Sequence, residues 1–387
     1  MKRTSLYLII YIGLLSLTAC HRHHNDEPKP RQAVRTVIVY MMAENSMSQY
    51  TQDDIDEMVT ARADVPDSVN FVVYKDDTAL PVIMQLTARD GLRTQYAYTE
   101  DHLSTDSATM LQNLRRIISD FPAQRYSIVF WSHASGWIPR RKTLGIDNGQ
   151  NTTSNNGFEM NVSELRWTLE QLPHLECVFF DACVMQGIEV AYELRHVADW
   201  IVGSPAEIPG PGAPYNTIMP YLCGGDPQGM ARAYRAYYPN QTDWRYGGVL
   251  LSAIRTDRLD ELARATRQVV PGLFGERTDV PATGFQRYTS EYSTFTYCYD
   301  MMTTFRSLLP DEDYALWRAA FDAAVPCRLT TTRWYANHCN DTQVRDTANC
   351  GAVSMFIPNS QGGSAGWNEK LHATDWYHAA GWDTTGW

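Results

Sequence analysis

The run L-E-C-V-F-F-D-A-C-V-M-Q-G-I-E-V-A-Y-E-L, from Leu175 to Leu194, decides how this chain is read. Its first part, Cys177 to Phe180, is a short apolar block of β-branched and aromatic residues, the composition of a buried strand. Its second part places Val184, Ile188, Ala191 and Tyr192 at spacings of three and four, the period of a helix. Asp181, Ala182 and Cys183 sit between the two. A cysteine at the carboxyl end of a buried strand, opening a helix, is placed to react, because helix N-terminal N–H groups stabilise a thiolate. Open α/β folds also put their sites at the carboxyl ends of strands.

A second run points to the same place. Tyr126 to Trp131 (Y-S-I-V-F-W) is another continuous apolar block, and it delivers Ser132-His133-Ala134-Ser135-Gly136-Trp137. Cys183 follows His133 by fifty residues, room for a loop and one crossover helix. If the two strands are parallel neighbours, imidazole and thiol emerge on one edge, where the first assists the second.

The chain has 387 residues, and its net charge of −11 argues against nucleic acid as a partner. Lys2 and Arg3 precede an apolar stretch, Leu6 to Leu17, that is short for a membrane span and right for a signal peptide. It ends in Leu17-Thr18-Ala19-Cys20, which resembles the bacterial lipoprotein box, so Cys20 is the expected lipidation site. Residues 1–20 are then a leader and 21–34 a polar, proline-containing tether. His21, His23 and His24 read as part of that solvated tether rather than as metal ligands. Seven cysteines follow, at 177, 183, 223, 298, 327, 339 and 350. Their odd number and irregular spacing show no paired framework and agree with a free, working thiol.

The remaining chain alternates strand and helix. Strands are expected at Arg35–Met42, Asn70–Lys75, Tyr126–His133, Cys177–Phe180, Trp200–Gly203 and Gly247–Ile254. Helices are expected at Asp53–Ala63, Asp106–Phe121, Asn161–Leu172, Asp226–Tyr238 and Asp257–Val269. Asp90-Gly91 marks a hairpin between Pro81–Ala88 and Thr94–Tyr98. Ile138 to Asn156 reads as one long polar loop, a functional hint in a compact domain. Ser204 to Pro214 is a stiff Pro/Gly loop leaving the same sheet edge. The rhythm argues for a mostly parallel sheet covered on both faces. Beyond Pro281 it is less regular: helices at Tyr299–Leu308 and Glu312–Ala324, strands near Cys327–Thr332 and Ala352–Ile357, and a packed irregular tail from Asn359.

Several of these stretches resemble the clostripain-like cysteine peptidases (family C11, clan CD): T-V-I-V-Y-M-M-A-E-N-S-M, I-V-F-W-S-H-A-S-G-W, F-F-D-A-C-V-M-Q-G-I-E-V-A-Y-E-L, G-S-P-A-E-I-P-G-P-G-A-P-Y and G-G-V-L-L-S-A-I-R-T-D-R-L. The likeness runs from about Thr36 to Leu259. It implies a caspase-like three-layer α/β/α sandwich over 35–275, with 276–387 an accessory region packed on it. It implies Cys183 as nucleophile, His133 as its dyad partner, and the amides of Ala134 and Cys183 as an oxyanion hole. It further implies protein or peptide substrates cut after a basic P1 residue. Internal cleavage between histidine and cysteine activates such enzymes, and Arg140, Arg141 and Lys142 lie in that interval. No organic cofactor is required; calcium serves some members and not others. A monomer anchored to the bacterial cell envelope by its lipid is expected.

Two residues depart from the family pattern. Ala134 replaces the usual glycine after the histidine, which is compatible with an oxyanion amide only if its backbone angles tolerate a Cβ. A basic P1 group needs carboxylate partners in the pocket. Asp181 matches one acidic position, or else caps the helix carrying Cys183. A second acid is expected in the loop that reads Pro209-Gly210-Pro211-Gly212, with Glu207 nearby. These departures keep an alternative in play: an inactive relative that binds peptide or glycan at the cell surface. A rival cluster of His338, Cys339, Cys327 and Cys350 matches no common zinc spacing and reads as core packing or a disulfide. Ser132 and Ser135 lack a nucleophile-elbow context. Glu44 and Asn45 are the candidates for orienting the histidine.

Overall fold

The first strand shows why the chain folds in layers. β1 (Ala33–Met42) is an apolar run whose side chains alternate between two cores. Val37, Val39 and Met41 enter one, and Ile38, Tyr40 and Met42 the other. All six are fully buried, as a strand covered on both faces requires. This computed structural model describes residues 32–138, 143–241, 246–280, 285–288, 298–336, 343–344, 346–360 and 366–387.

The strands that follow are β2 (Val69–Asp76), β3 (Val82–Thr87), β4 (Gly91–Ala97), β5 (Ala123–Trp131), β6 (Leu144–Asp147), β7 (Phe158–Met160), β8 (Leu175–Asp181), β9 (Ala198–Gly203), β10 (Leu250–Arg255), β11 (Cys298–Asp300), β12 (Cys327–Thr330) and β13 (Ser354–Phe356). Nine of them form one sheet in the order β12-β10-β9-β8-β5-β1-β2-β3-β4. The five central strands are parallel. Antiparallel strands close both sides. From β1 the chain moves outward to β2, then returns past β1 to β5 and on to β8 and β9. The direction reverses between β1 and β5, so the crevice at their carboxyl ends is the topological switch point of the sheet.

Helices cover both faces. α1 (Thr51–Thr60), α5 (Tyr215–Gly224) and α6 (Pro227–Tyr237) lay Ile55, Met58, Ile218, Leu222 and Met230 on the Val37 side. α2 (Ser107–Asp120), α3 (Val162–Leu169), α4 (Ile188–Glu193) and α7 (Leu259–Phe274) lay Met110, Leu114, Leu165, Ile188 and Leu262 on the other. Three helices carry side-chain caps at their starts. Asp106 accepts from the Thr109 amide, Asn161 and Glu164 make a capping box, and Asp226 caps α6 with Pro227 at its first position. Two more helices, α8 (Met301–Leu308) and α9 (Asp311–Ala324), precede β12.

Three expectations are corrected. Cys183 does not open a helix: α4 starts at Ile188 with Gly187 as its N-cap, and Cys183 lies in the turn before it. The helix is delayed because Gln186 is drawn sideways, its amide donating to Ser252 and Ile201 oxygens across the sheet. The long polar loop is not structureless, since β6 within it pairs with β7 as a small hairpin. The tail contains helices Trp367–His372 and Asp375–Ala379, fixed by the fully buried Trp376 and Trp382.

The amino end of the sheet is held by charge. Arg35 on β1 forks onto Glu176 on β8 at 2.5 and 2.9 Å, both side chains almost wholly buried. Arg125 adds a bond to Glu176 at 2.8 Å, and a third Arg35 donor reaches the Cys223 carbonyl at 2.7 Å. Gly225, at φ +67°, lets the chain pass the guanidinium, where an added Cβ would lie 2.0 Å from it.

Candidate active site

Three neighbouring strands deliver the site. β1 ends before Ser46, β5 before His133 and β8 before Cys183, all at the switch-point edge. Their parallel register, Met41 beside Trp131 beside Asp181, brings the three exits level. His133 and Cys183 line one cavity of about 530 Å³ with Ser46, Asp181, Glu207 and the aromatic Tyr50, Tyr246 and Tyr335. The rings of Tyr246 and Tyr335 stack at 5.7 Å and form one wall.

The thiol is half-buried, and its neighbour is the loop after β9. Ile208 N–H donates to Cys183 Sγ at 3.4 Å. Burial, and then the negative charge of Glu207, push the thiol up to about 12. The next residue, Val184, has φ +54°, a left-handed conformation that a β-branched side chain rarely adopts. Its amide is bonded to the Ala206 carbonyl at 2.9 Å, which ties this turn to the same loop.

His133 is held from the opposite side. Its Nε2 lies 2.9 Å from Ser46 Oγ, and Asn155 Nδ2 donates to the same hydroxyl at 3.1 Å. Burial keeps the imidazole below its ordinary pKa. Neither Glu44 nor Asn45 touches it. Asn45 donates to the Met42 and Ile146 carbonyls, and Glu44 accepts from the Gln150 and Thr152 amides. Ser46, one residue further on, and Asn155 are the contacts that sequence reasoning missed. A serine beside Asn45 in an exit turn carried no distinguishing signal.

Ala134 does not adopt the positive φ that would require glycine. It faces Leu144 in an isolated antiparallel bridge whose bonds run from Ser135 to Thr143 and from Gly145 to His133. The Ala134 amide is therefore left out of that bridge. Among the described residues neither it nor the Cys183 amide donates to a backbone acceptor.

Asp181 is buried beneath the cavity. It caps no helix. Its carboxylate accepts from the Ala213 amide at 3.0 Å and from the Tyr215 hydroxyl at 3.0 Å, and burial pushes it up to about 7. The half-buried Glu207 lies on the loop above. Ser132 donates to the Met42 carbonyl and is occupied structurally. Arg140, Arg141, Lys142, Cys20, His338 and Cys339 lie outside the described residues. Cys327 and Cys350 are free and buried, Cys350 against Tyr288 and Asp300. For a cation, one group of carboxylates stands out, formed by Glu44, Asp76 and Asp101.

A thiol and an imidazole on neighbouring strand ends of an α/β/α sandwich, facing one cavity, form the arrangement of a cysteine hydrolase. Comparison with known proteins agrees. A profile described as the clostripain family, peptidase C11, matches residues 39–387. A secreted C11 cysteine protease from Bacteroides thetaiotaomicron, solved with an irreversible peptide inhibitor, is 30% identical, with a TM-score of 0.77 over 91% of this chain and 99% of that one. An inactive zymogen C11 protease from Parabacteroides distasonis is 26% identical, with a TM-score of 0.76 over 91% and 99%. A B. fragilis cysteine protease is 30% identical, with a TM-score of 0.55 over 60% and 98%. A comparison with curated proteins found no match. The chain belongs to the clostripain family of C11 cysteine peptidases, and protein or peptide is its class of substrate. No helix among the described residues is long and apolar enough to cross a membrane.

Proposed function

We propose that the chain is an endopeptidase in which Cys183 is the nucleophile and His133 the general acid and base. The observation that carries this reading is that both side chains line one cavity with the unpaired amides of Ala134 and Cys183 beside them. His133 takes the Cys183 proton as Sγ attacks the scissile carbonyl carbon, and the carbonyl oxygen takes the negative charge toward the two amides. His133 gives a proton to the leaving amine as the C–N bond breaks. Water, deprotonated by His133, then cleaves the thioester and frees the thiol. Asp181 below the cavity and Glu207 on its rim supply the negative charge that a basic P1 side chain needs.

The uncut chain is the latent form in this reading. A thiol pushed up to about 12 is almost wholly protonated at neutral pH. Cleavage beside Arg140, Arg141 or Lys142 frees the segment that passes from His133 to the β6–β7 hairpin. The zymogen state of the P. distasonis relative supports this order of events. Cys20 carries the lipid, and the enzyme works as a monomer at the cell envelope.

The test is cleavage of fluorogenic peptides varied at P1 by the chain starting after Cys20, with Cys183→Ala as control. Cleavage after Arg or Lys, lost in the variant, is expected. Activity at other P1 residues would discard the basic pocket and keep the dyad. No activity after limited proteolysis, with or without calcium, would sink the peptidase reading in favour of a binding protein.

A further inference from the structure

We propose that Glu189 is a positioning residue for the Cys183–His133 pair: through Trp137 it holds the segment that follows His133 against the helix that follows Cys183. The effect on turnover rests on the peptidase reading; the hold itself does not.

Glu189 lies in the first turn of α4, six residues after Cys183, and Trp137 lies four residues after His133. Trp137 Nε1 donates to Glu189 Oε2 at 3.0 Å. The Phe356 amide on β13 donates to Glu189 Oε1 at 2.8 Å. The rings of Trp137 and Phe356 pack edge to face, with centroids 5.8 Å apart at 90°. One side chain thus joins the segment behind the histidine, the helix behind the cysteine and the β11–β13 pair.

The contact calls for an acid. Glu189 is buried, and among the described residues no cation compensates it. A buried carboxylate without a cation is costly unless hydrogen bonds satisfy it, and here each oxygen takes one N–H. A glutamine of the same shape accepts at one end only, so its amide would face a donor at Trp137 or at Phe356. The surrounding packing is close. At Gly187 an added Cβ would lie 3.3 Å from Glu189 Oε2, 3.4 Å from Ser354 Oγ and 3.6 Å from Trp137 Cδ1. Gly187 bridges Ser354, whose amide donates to the Gln186 carbonyl at 3.0 Å, so β13 is seated on the turn between Cys183 and α4.

The hold reaches the nucleophile through one neighbour. Gly136, Trp137 and Ile138 share a void of about 10 Å³ with Val184, the residue after Cys183. Val184 is already in a left-handed conformation, at φ +54°, so its surroundings fix its place. Arg140, Arg141 and Lys142 all lie beyond Trp137, and a cut there leaves Trp137 joined to His133.

Hydrogen exchange reads the hold without turnover. In the Cys183→Ala chain, amides of residues 135–138 should exchange about tenfold faster in Glu189→Gln and in Trp137→Phe, with peptides from β1 and β2 unchanged. Trp137→Phe keeps a ring against Phe356 and removes the donor, so it tests the bond with the acid intact. Unchanged exchange in both variants, or faster exchange spread evenly over the sheet, overturns the hold. In the active chain each substitution should lower kcat about tenfold with KM within about twofold. The double variant should fall no further than the lower single, since the glutamine amide then meets no indole donor. Losses that multiply to about a hundredfold put the two residues on separate paths and overturn positioning through Trp137. Faster exchange with kcat unchanged overturns it as well. A parent chain that cleaves no peptide removes the positioning role together with the peptidase reading, and exchange still decides the hold.

Discussion

Asp181 offers the sharpest test, because its two possible roles predict different numbers. Burial pushes its carboxyl from 3.8 to about 7 in the folded chain. Between those values the folded state holds a proton that the unfolded state has released. Stability contributed by the protonated group is therefore complete at low pH and falls as pH rises, by about 1.4 kcal/mol per unit and about 4 kcal/mol in all. Asp181→Asn cannot titrate. Its carbonyl still accepts from Ala213, and its amide donates to Tyr215 once that hydroxyl turns. The difference in stability, Asn variant minus parent, should thus climb by about 4 kcal/mol from pH 4 to pH 7. Asp181→Ala leaves the Ala213 N–H and the Tyr215 O–H unpaired and should fall about 2–5 kcal/mol below the Asn variant. Urea unfolding followed by tryptophan fluorescence, in the Cys183→Ala background, measures both. Parallel pH curves for parent and Asn variant would refute the buried-acid account. If the same carboxylate meets a basic P1 side chain, Asp181→Asn also lowers kcat/KM on P1-Arg peptides about 100-fold while sparing other P1 residues. Retained arginine preference would assign Asp181 to loop support alone.

Other predictions rest on separate observations. The Cys183 thiol in the uncut chain should alkylate with iodoacetamide about tenfold faster per pH unit from pH 7 to 9.5 without a plateau, and a plateau near pH 7 would contradict the burial effect. Glu207→Gln, by removing the second cause of that shift, should speed alkylation about three- to tenfold at fixed pH. Ser46→Ala should lower kcat about tenfold with KM unchanged, the value of one hydrogen bond to an ionised group; the imidazolium also loses an acceptor, so the basic limb of the pH profile should move to lower pH. At the opposite end of the sheet, Glu176→Ala strands the buried Arg35 and should cost about 3–5 kcal/mol in urea unfolding, with activity per folded molecule intact.

What the sequence disclosed and what it withheld divide along contact distance. The apolar runs of β1, β5 and β8 are local facts, and once β5 and β8 pair in parallel they bring His133 and Cys183 to one edge. The caps at Asn161 and Asp226 are local too, each a capping residue at the head of its helix, and both form. The start of α4 was not legible, because it depends on Gln186 reaching Ser252, far along the chain. Ser46 was hidden for the same reason: nothing near it in sequence announces His133. Nothing in the sequence around Glu44, Asp76 and Asp101 announces that they meet. The pairing of β1 with β2 brings the buried Glu44 and Asp76 together, and the part-buried Asp101 joins them from the segment before α2.

The loop after β9 shows how a departure from a family pattern acquires a physical cause. A second acid for a basic P1 residue was expected where Pro209-Gly210-Pro211-Gly212 stands. A Cβ at position 210 would lie 2.8 Å from the Tyr50 ring. One at position 212 would lie 3.1 Å from the Asp181 carboxylate, in a backbone at φ +64°. A side chain at either glycine has to displace the Tyr50 ring or the Asp181 carboxylate, so an acid at 210 or 212 works against the packing that is present. The same packing lets the loop press down on Asp181, donate the Ala213 amide to it and bury it. Burial is what pushes that carboxyl toward neutrality, and a guanidinium entering the cavity would pull it back. A pocket built this way carries its charge only when a basic side chain is present, and binding of P1-Arg peptides should then release no more than the fraction of a proton that Asp181 still holds, a quantity calorimetry in two buffers reads directly. Proton release that is zero at pH 6, where Asp181 is mostly protonated in the free chain, would place the guanidinium elsewhere.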